Sequence, residues 1–320
     1  MALAARLGFD TLMERSAALH SAMERCTLCP RACLARRTQG ETGFCGCTSD
    51  LEVASCCIHR GEEPVLCGEI GVGNVFLAHC NLRCVFCQNH RISQTARRFP
   101  MSPSLLAREM LSFQDAGCPT VGFVSPVQHL PGIVESIALA VRDGFDTPII
   151  YNSNGYDSVE TLRLLDGVFD IYLPDFKYAG EQEAQELSEV SGYPESALAA
   201  LREMFRQAGP LEPDEDGVAR RGVMVRHLVL PNDLARTAEV LAAVAGVSVS
   251  IPVSLMAQYY PMHRAVDHPL LSRVLREAEY DRALAALEEA GLTAGFTQDP
   301  REAPAAWLPD FDRGNPFSDG

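Results

Sequence analysis

Positive charge is scarce in this chain. Its 27 lysines and arginines face 42 aspartates and glutamates, for a formal charge of −15 and an isoelectric point near 5.0. That balance excludes nucleic acid or an anionic membrane as the main partner, because both bind through basic surface. Long apolar runs are missing as well, and none approaches the roughly 18 residues that read as a membrane span. The opening residues, Met1 to Arg6 followed by Asp10 and Glu14, read as an amphipathic helix rather than a signal peptide, so a cytoplasmic location is expected. Cysteine is absent from everything beyond Cys118, although the chain has 12 of them. In a reducing cytosol such crowding into residues 26–118 excludes a disulfide framework and points to metal or redox chemistry.

What is present is most informative between Gly73 and Asn89. There Cys80, Cys84 and Cys87 form C-x3-C-x2-C directly after an apolar, β-rich stretch. Three thiolates on one short loop can hold three irons of a [4Fe–4S] cluster, whereas four-cysteine ferredoxin patterns also supply a ligand to the last iron. An iron without a protein ligand can bind substrate, by the logic that separates open catalytic zinc sites from closed structural ones. No fourth cysteine follows until Cys118. The competing reading of this set is a zinc site or three buried free cysteines.

A second group runs Cys26-Thr27-Leu28-Cys29-Pro30-Arg31-Ala32-Cys33, followed by Gly40, Gly43, Cys45 and Cys47. Cys26, Cys29, Cys33 and Cys45 form C-x2-C-x3-C-x11-C, a four-ligand pattern that suits either zinc or a second iron–sulfur cluster. Unliganded cysteines in a small core are the third reading. Cys56, Cys57 and Cys67 are substitute ligands, and Cys118, between Gly117 and Pro119, reads as a buried small residue.

Beyond the first loop, apolar strands alternate with amphipathic helices, the pattern of a parallel sheet with right-handed crossovers. The expected strands are Val72–Ala78, Thr120–Val124, Pro148–Tyr151, Asp170–Leu173, Val223–Leu230 and Val249–Met256. Helices are expected after Ser102-Pro103 with closure at Gly117, from about Ser158 to Gly167, after Asn232, and around Leu284 to Gly291. The fold class is therefore α/β, a partial (β/α)6 TIM-like barrel with a small cysteine-rich N-terminal metal-binding region. Residues 1–70 would form that region, 71–297 the barrel and 298–320 a tail with Trp307 and Phe311 as anchors, draped over the barrel mouth or disordered. In parallel barrels the functional groups lie at the carboxyl ends of strands. Those ends lead to the cysteine loop, Ser125 to His129, Asn152 to Gly155, Pro174 to Lys177, and Gln258 to Pro261, with Arg226 and His227 inside the fifth strand.

These residues resemble the radical S-adenosylmethionine superfamily, whose loop reads C-x3-C-x-aromatic-C, with Phe86 in the aromatic slot. The resemblance implies that the open iron chelates S-adenosylmethionine. An electron, from a donor such as flavodoxin or ferredoxin, then splits it into methionine and a 5′-deoxyadenosyl radical that abstracts hydrogen. Within the superfamily the chain is most similar to the pyruvate formate-lyase activating enzyme-like group. The matching phrases include Cys26-x-x-Cys29-Pro30-Arg31, Cys87-Gln88-Asn89, Tyr151 to Tyr156, Asp170 to Tyr178, Val225 to Pro231 and Met256 to Pro261. By that resemblance Asp175 and Lys177 fall on an Asp-x-Lys motif near S-adenosylmethionine and the target peptide, and Asn152 to Gly155, Asn154 included, on a Thr-Asn-Gly-like turn near the cofactor. The group's Gly-Gly-Glu segment, which receives the cofactor's amino group, is replaced by Val124-Ser125-Pro126, leaving Ser125, Gln128 or His129 to do that work.

Each polar candidate also has a bland reading. Asp175 and Lys177 could be a surface pair worth about 0–1 kcal/mol, His129 and His227 satisfied core histidines, and His79 and His90 bystanders of the loop. Asp214 to Gly217 lacks the spaced acidic ligands of a calcium loop and reads as a solvated turn, and Arg220 and Arg221 as a solvated loop. The expected function is a radical S-adenosylmethionine oxidoreductase that abstracts hydrogen, in the version the resemblance suggests from a glycine of a glycyl radical enzyme. The alternatives are a radical enzyme modifying a small metabolite or peptide, and a non-catalytic iron–sulfur electron carrier.

Overall fold

Each apolar run read as a strand carries one in the computed structural model, which describes residues 1–301 and 308–317, except that Val223–Leu230 is divided between two strands of different sheets. Preceding them are α1 (Leu3–Ser21), β1 (Val53–His59) and the single turn α2 (Pro64–Cys67). Next comes β2 (Val72–Leu77), buried at every position, as a strand covered on both faces requires. After the short α3 (His90–Ser93), helix and strand alternate through α4 (Pro103–Asp115), β3 (Val121–Val124), α5 (Leu130–Arg142), β4 (Ile149–Ser153), α6 (Val159–Leu164) and β5 (Ile171–Pro174). Then α7 (Glu181–Ser188) and α8 (Tyr193–Ala208) lead to a hairpin of β6 (Glu212–Pro213) and β7 (Ala219–Val223), which runs on through Met224 into β8 (Val225–Leu228). The order closes with α9 (Thr237–Ala245), β9 (Val253–Met256), α10 (Glu277–Glu289) and β10 (Gly295–Thr297).

Strands β2, β3, β4, β5 and β7 pair in parallel in that order, and β8, β9 and β10 form a second parallel set. The two sets meet where the Met224 amide donates to the Tyr172 carbonyl (3.1 Å) and the Phe176 amide to the Arg226 carbonyl (2.8 Å). The six expected strands thus follow one another as a mostly parallel α/β partial barrel. β1 lies antiparallel along the β2 edge, and β10 lies parallel along the β9 edge.

Local chemistry explains the helices. The Ser102 hydroxyl accepts from the Leu105 amide (3.2 Å) ahead of Pro103, and the Ser158 hydroxyl from the Thr161 amide (3.3 Å), the two N-caps expected. α1 breaks at Gly8 (φ 77), and its first amides are capped from afar, Ala2 by Asp146 (2.6 Å) and Leu3 by Asp170 (2.8 Å). It packs on α5 through buried Leu12 and Leu19, each such burial worth about 1.5–3 kcal/mol. Val249 to Pro252 stay out of the sheet, because Pro252 has no amide to donate and Val249 is exposed. Asp214 to Gly217 is the turn of the β6–β7 hairpin, with Asp214 accepting from the Asp216 and Val218 amides. Among the described residues no helix is long and apolar enough to cross a membrane.

Candidate active site

Beyond β2 the chain turns sharply at His79, held in the left-handed region (φ 64) by hydrogen bonds from its amide to the Ile92 carbonyl and between its ring and Glu52. The loop that follows is anchored on the end of α7, where the amides of Arg83 and Val85 donate to the carbonyls of Ser188 and Leu187. Each of the three sulfurs has its own hydrogen-bond partner. The Leu82 amide (3.4 Å) and Asn154 Nδ2 (3.3 Å) donate to Cys80, the Ser188 hydroxyl to Cys84 (3.0 Å), and Ser93 Oγ lies 3.2 Å from Cys87. Burial pushes the bare Cys80 thiol up to about 11 and Cys87 to about 12, so thiolates here require a positive partner. Three thiolates on one loop match three of the four irons of a [4Fe–4S] cluster. Phe86 packs edge-on against Tyr178 and Tyr259 and stiffens the loop.

Cys80, Cys84, Phe86 and Cys87 line a cavity of about 580 Å³ together with Ser125, Asn152, Asn154, Asp175 and Lys177. The Lys177 ammonium donates to Asp175 at 2.5 Å, and the two side chains are only 18% and 23% exposed. Burial alone would lower the lysine, but the charges of Asp175 and then Cys84 hold it above the usual range. Lys177 is also the only lysine of the chain. The loop carrying it is locked to the Asn152–Gly155 turn, because the Tyr193 hydroxyl accepts from the Lys177 amide and donates to the Asn154 carbonyl, both at 2.9 Å. Gly155 (φ 80) lies so close that a Cβ there would stand 2.2 Å from the Asp175 carbonyl oxygen.

His129 is not brought to this cavity. Its Nε2 meets the Ala78 carbonyl (2.9 Å) and its Nδ1 the Asp50 carbonyl (3.2 Å), and burial holds the ring neutral, down at about 3. Gln128 is likewise turned inward, donating to the carbonyls of Ala78, His79 and Ser125. His227 is fully buried behind the site, between the Phe176 carbonyl (2.6 Å) and Thr237 (3.0 Å). The second cysteine group, Cys26, Cys29, Cys33 and Cys45, lines a separate small cavity, whereas Cys56, Cys57, Cys67 and Cys118 line neither and pack among apolar side chains.

Sequence reasoning missed Glu62 and Glu63, which reach into the main cavity and clamp Arg226. Arg226 Nε donates to Glu63 at 2.8 Å, and although burial opposes its charge, the two carboxylates hold its pKa well above the ordinary range. Glu62 also accepts from Asn74 Nδ2 (2.6 Å). The adjacent acid pair between Gly61 and Pro64 was the available signal. At the cavity edge Phe311 and Phe317 pack on Phe76, with ring centroids 5.4 and 5.6 Å from it. Trp307 lies outside the described residues.

A three-cysteine loop at the carboxyl end of the first strand of a parallel partial barrel defines a class, and the chain belongs to it. It matches the Radical SAM superfamily over residues 74–210, the superfamily that cleaves S-adenosylmethionine with an iron–sulfur cluster. Among individual proteins it is similar to MJ0674 of Methanocaldococcus jannaschii, 30% identical over 279 residues that cover 84% of this chain and 76% of that one. It is also similar to MJ0808 of the same organism, 26% identical over 164 residues, 44% of this chain and 46% of the other. In fold it is similar to HydG, a maturase of the [FeFe]-hydrogenase, with a TM-score of 0.52 at 15% identity over 73% of this chain. It spans only 53% of HydG.

Proposed function

We propose that Cys80, Cys84 and Cys87 hold a [4Fe–4S] cluster with one iron open to S-adenosylmethionine, and that the chain directs the resulting chemistry at a glycine of a partner protein. The observation that carries this reading is the placement of three sulfurs, each with its own hydrogen-bond partner, in one cavity with the chain's only lysine. When bound, the cluster and S-adenosylmethionine supply a reductive cleavage to methionine and a 5′-deoxyadenosyl radical that abstracts hydrogen.

The chain's own residues do the rest. The donors to sulfur stabilise negative charge on the thiolates and orient them. Lys177 offers a cation for the carboxylate of an amino-acid-like ligand, and Asp175 an acceptor for its amino group. Ser125, Asn152 and Asn154 add neutral polar groups around the same space. Ser125 stands in for the missing acidic segment and has its backbone fixed at φ 57. Phe86, with Tyr178 and Tyr259 behind it, keeps water from the loop.

The glycine target rests on the phrases shared with the pyruvate formate-lyase activating enzyme-like group. A second reading, modification of a small polar metabolite or peptide, is favoured by the Glu62–Arg226–Glu63 clamp inside the same cavity. The test is to supply the reconstituted chain with S-adenosylmethionine, reductant, and either the protein fraction or the small-molecule filtrate of an anaerobic extract. The protein fraction should raise 5′-deoxyadenosine release about tenfold, a barrier change near 1.4 kcal/mol, and yield a glycyl radical signal. Stimulation by the filtrate alone would replace this target with the second reading.

A further inference from the structure

Arg37 is 1% exposed, and among the described residues no carboxylate pairs with it. Its guanidinium donates to the carbonyls of Thr48 (3.1 and 2.6 Å) and Gln128 (2.6 Å), and reaches Cys26 Sγ at 3.7 Å. A cation taken out of water without an anion is strongly disfavoured. The groups that can supply the anion are cysteine sulfurs: those of Cys45, Cys47 and Cys26 act on its charge, and Cys26, Cys29, Cys33 and Cys45 line the small apolar cavity against which Arg37 lies. As thiolates around a metal core of lower positive charge they provide a net negative partner for it.

The backbone is shaped to the same end. Ala32 (φ 40) and Leu34 (φ 57) flank Cys33 in the left-handed region, a conformation that persists in non-glycine residues only where surroundings over-determine it. The turn is closed by the Cys26 amide on the Ala35 carbonyl (3.0 Å) and the Leu34 amide on the Cys26 carbonyl (3.1 Å). At Gly43 a Cβ would stand 2.8 Å from Cys33 Sγ and 3.8 Å from Cys45 Sγ, so a glycine lets the second arm of the loop lie against both sulfurs. Cys47 meets the Cys45 side chain and also lies 3.7 Å from His129 Nε2.

What favours iron–sulfur over zinc is adjacency to the first site, since the two share Asn81, which lines the small cavity. Its carbonyl accepts from Arg31 Nε (2.6 Å), and its side chain accepts from the same Asn154 amide that donates to Cys80 Sγ.

We propose that Cys26, Cys29, Cys33 and Cys45 bind a second [4Fe–4S] cluster, closed by four thiolates and beside the first site. With no open iron it suits electron storage rather than substrate binding. The test is metal analysis of the full chain purified anaerobically, with a Cys80→Ser/Cys84→Ser/Cys87→Ser variant that isolates the second site whether or not the proposed function holds. About eight irons are expected in the native chain and about four, with matching sulfide and a cluster Mössbauer signature, in the triple variant. A Cys33→Ser/Cys45→Ser variant with native circular dichroism should also keep about four. Loss of all iron in the folded triple variant, or a zinc held there in its place, would overturn the proposal. Should the triple variant fail to fold, Cys33→Ser decides, because Cys33 is exposed. Unchanged iron in that variant would equally overturn it.

Discussion

Lys177 shows how much a single residue carries here. Among 27 basic residues it is the only lysine, it points into the cavity of the three cysteines, and Asp175 keeps it charged there. Lys177→Met should retain the iron of the native chain yet lower 5′-deoxyadenosine formation about 100-fold, the scale of losing one preorganised charged donor. An unchanged rate at equal iron content would show that the ion pair is structural. His227 has a different consequence. Burial holds its imidazole at about 4, against about 6.5 for a free one, so the fold favours the neutral ring. Stability from this group is complete above pH 6.5 and is lost as pH falls from 6.5 towards 4. Between pH 7 and 5 the chain without added iron should lose about 2 kcal/mol more than its His227→Gln variant, read by urea unfolding. Parallel losses would contradict the assignment. At this scale the cysteine loop, Asp175 and Lys177 were legible because ligand spacing and strand-end position are local properties. Glu62 and Glu63 were not, because their partner Arg226 lies 163 residues from Glu63 and no periodicity announces such a pairing. His129 had the right sequence position, but the helical turn Val127–His129 directs its ring back to the Ala78 carbonyl.

Among elements, the turn after β4 and the loop after β5 act as one piece through Gly155 and Tyr193. Gly155→Ala forces a Cβ onto the Asp175 carbonyl and requires a left-handed alanine, so it should destabilise the chain by about 2–4 kcal/mol and displace Lys177. Urea midpoints and 5′-deoxyadenosine release should fall together. Ser102→Ala, which removes an N-cap far from the cavity, should lose about 1 kcal/mol without changing turnover per folded chain. If Gly155→Ala behaved like Ser102→Ala, the locking of the two loops would be wrong. The parallel strands were readable because burial on both faces leaves continuous apolar runs, as in Val72–Leu77. β1 escaped notice because its Val53–His59 run carries two adjacent cysteines and a register shift near Ser55, which breaks the alternation a strand normally displays. The β6–β7 hairpin was hidden by its charged turn, and α7 by an exposed, glutamate-rich face.

At the scale of the molecule, the parallel barrel collects at one cavity residues that the chain spreads from His59 to Phe317. The N-terminal segment belongs to that assembly, with α1 on the outer helical layer and β1 on the sheet edge, and its cysteine pocket shares Asn81 with the first loop. Such integration is a product of long-range packing and left no mark in local composition. The central claim, that these residues cleave S-adenosylmethionine by a single electron, has a direct measurement. The chain is reconstituted anaerobically with iron and sulfide, given S-adenosylmethionine and dithionite, and 5′-deoxyadenosine is quantified beside a Cys84→Ala variant. Release from the native chain alone is the expected result; release no greater than that of Cys84→Ala, with the native cluster fully formed, would contradict it.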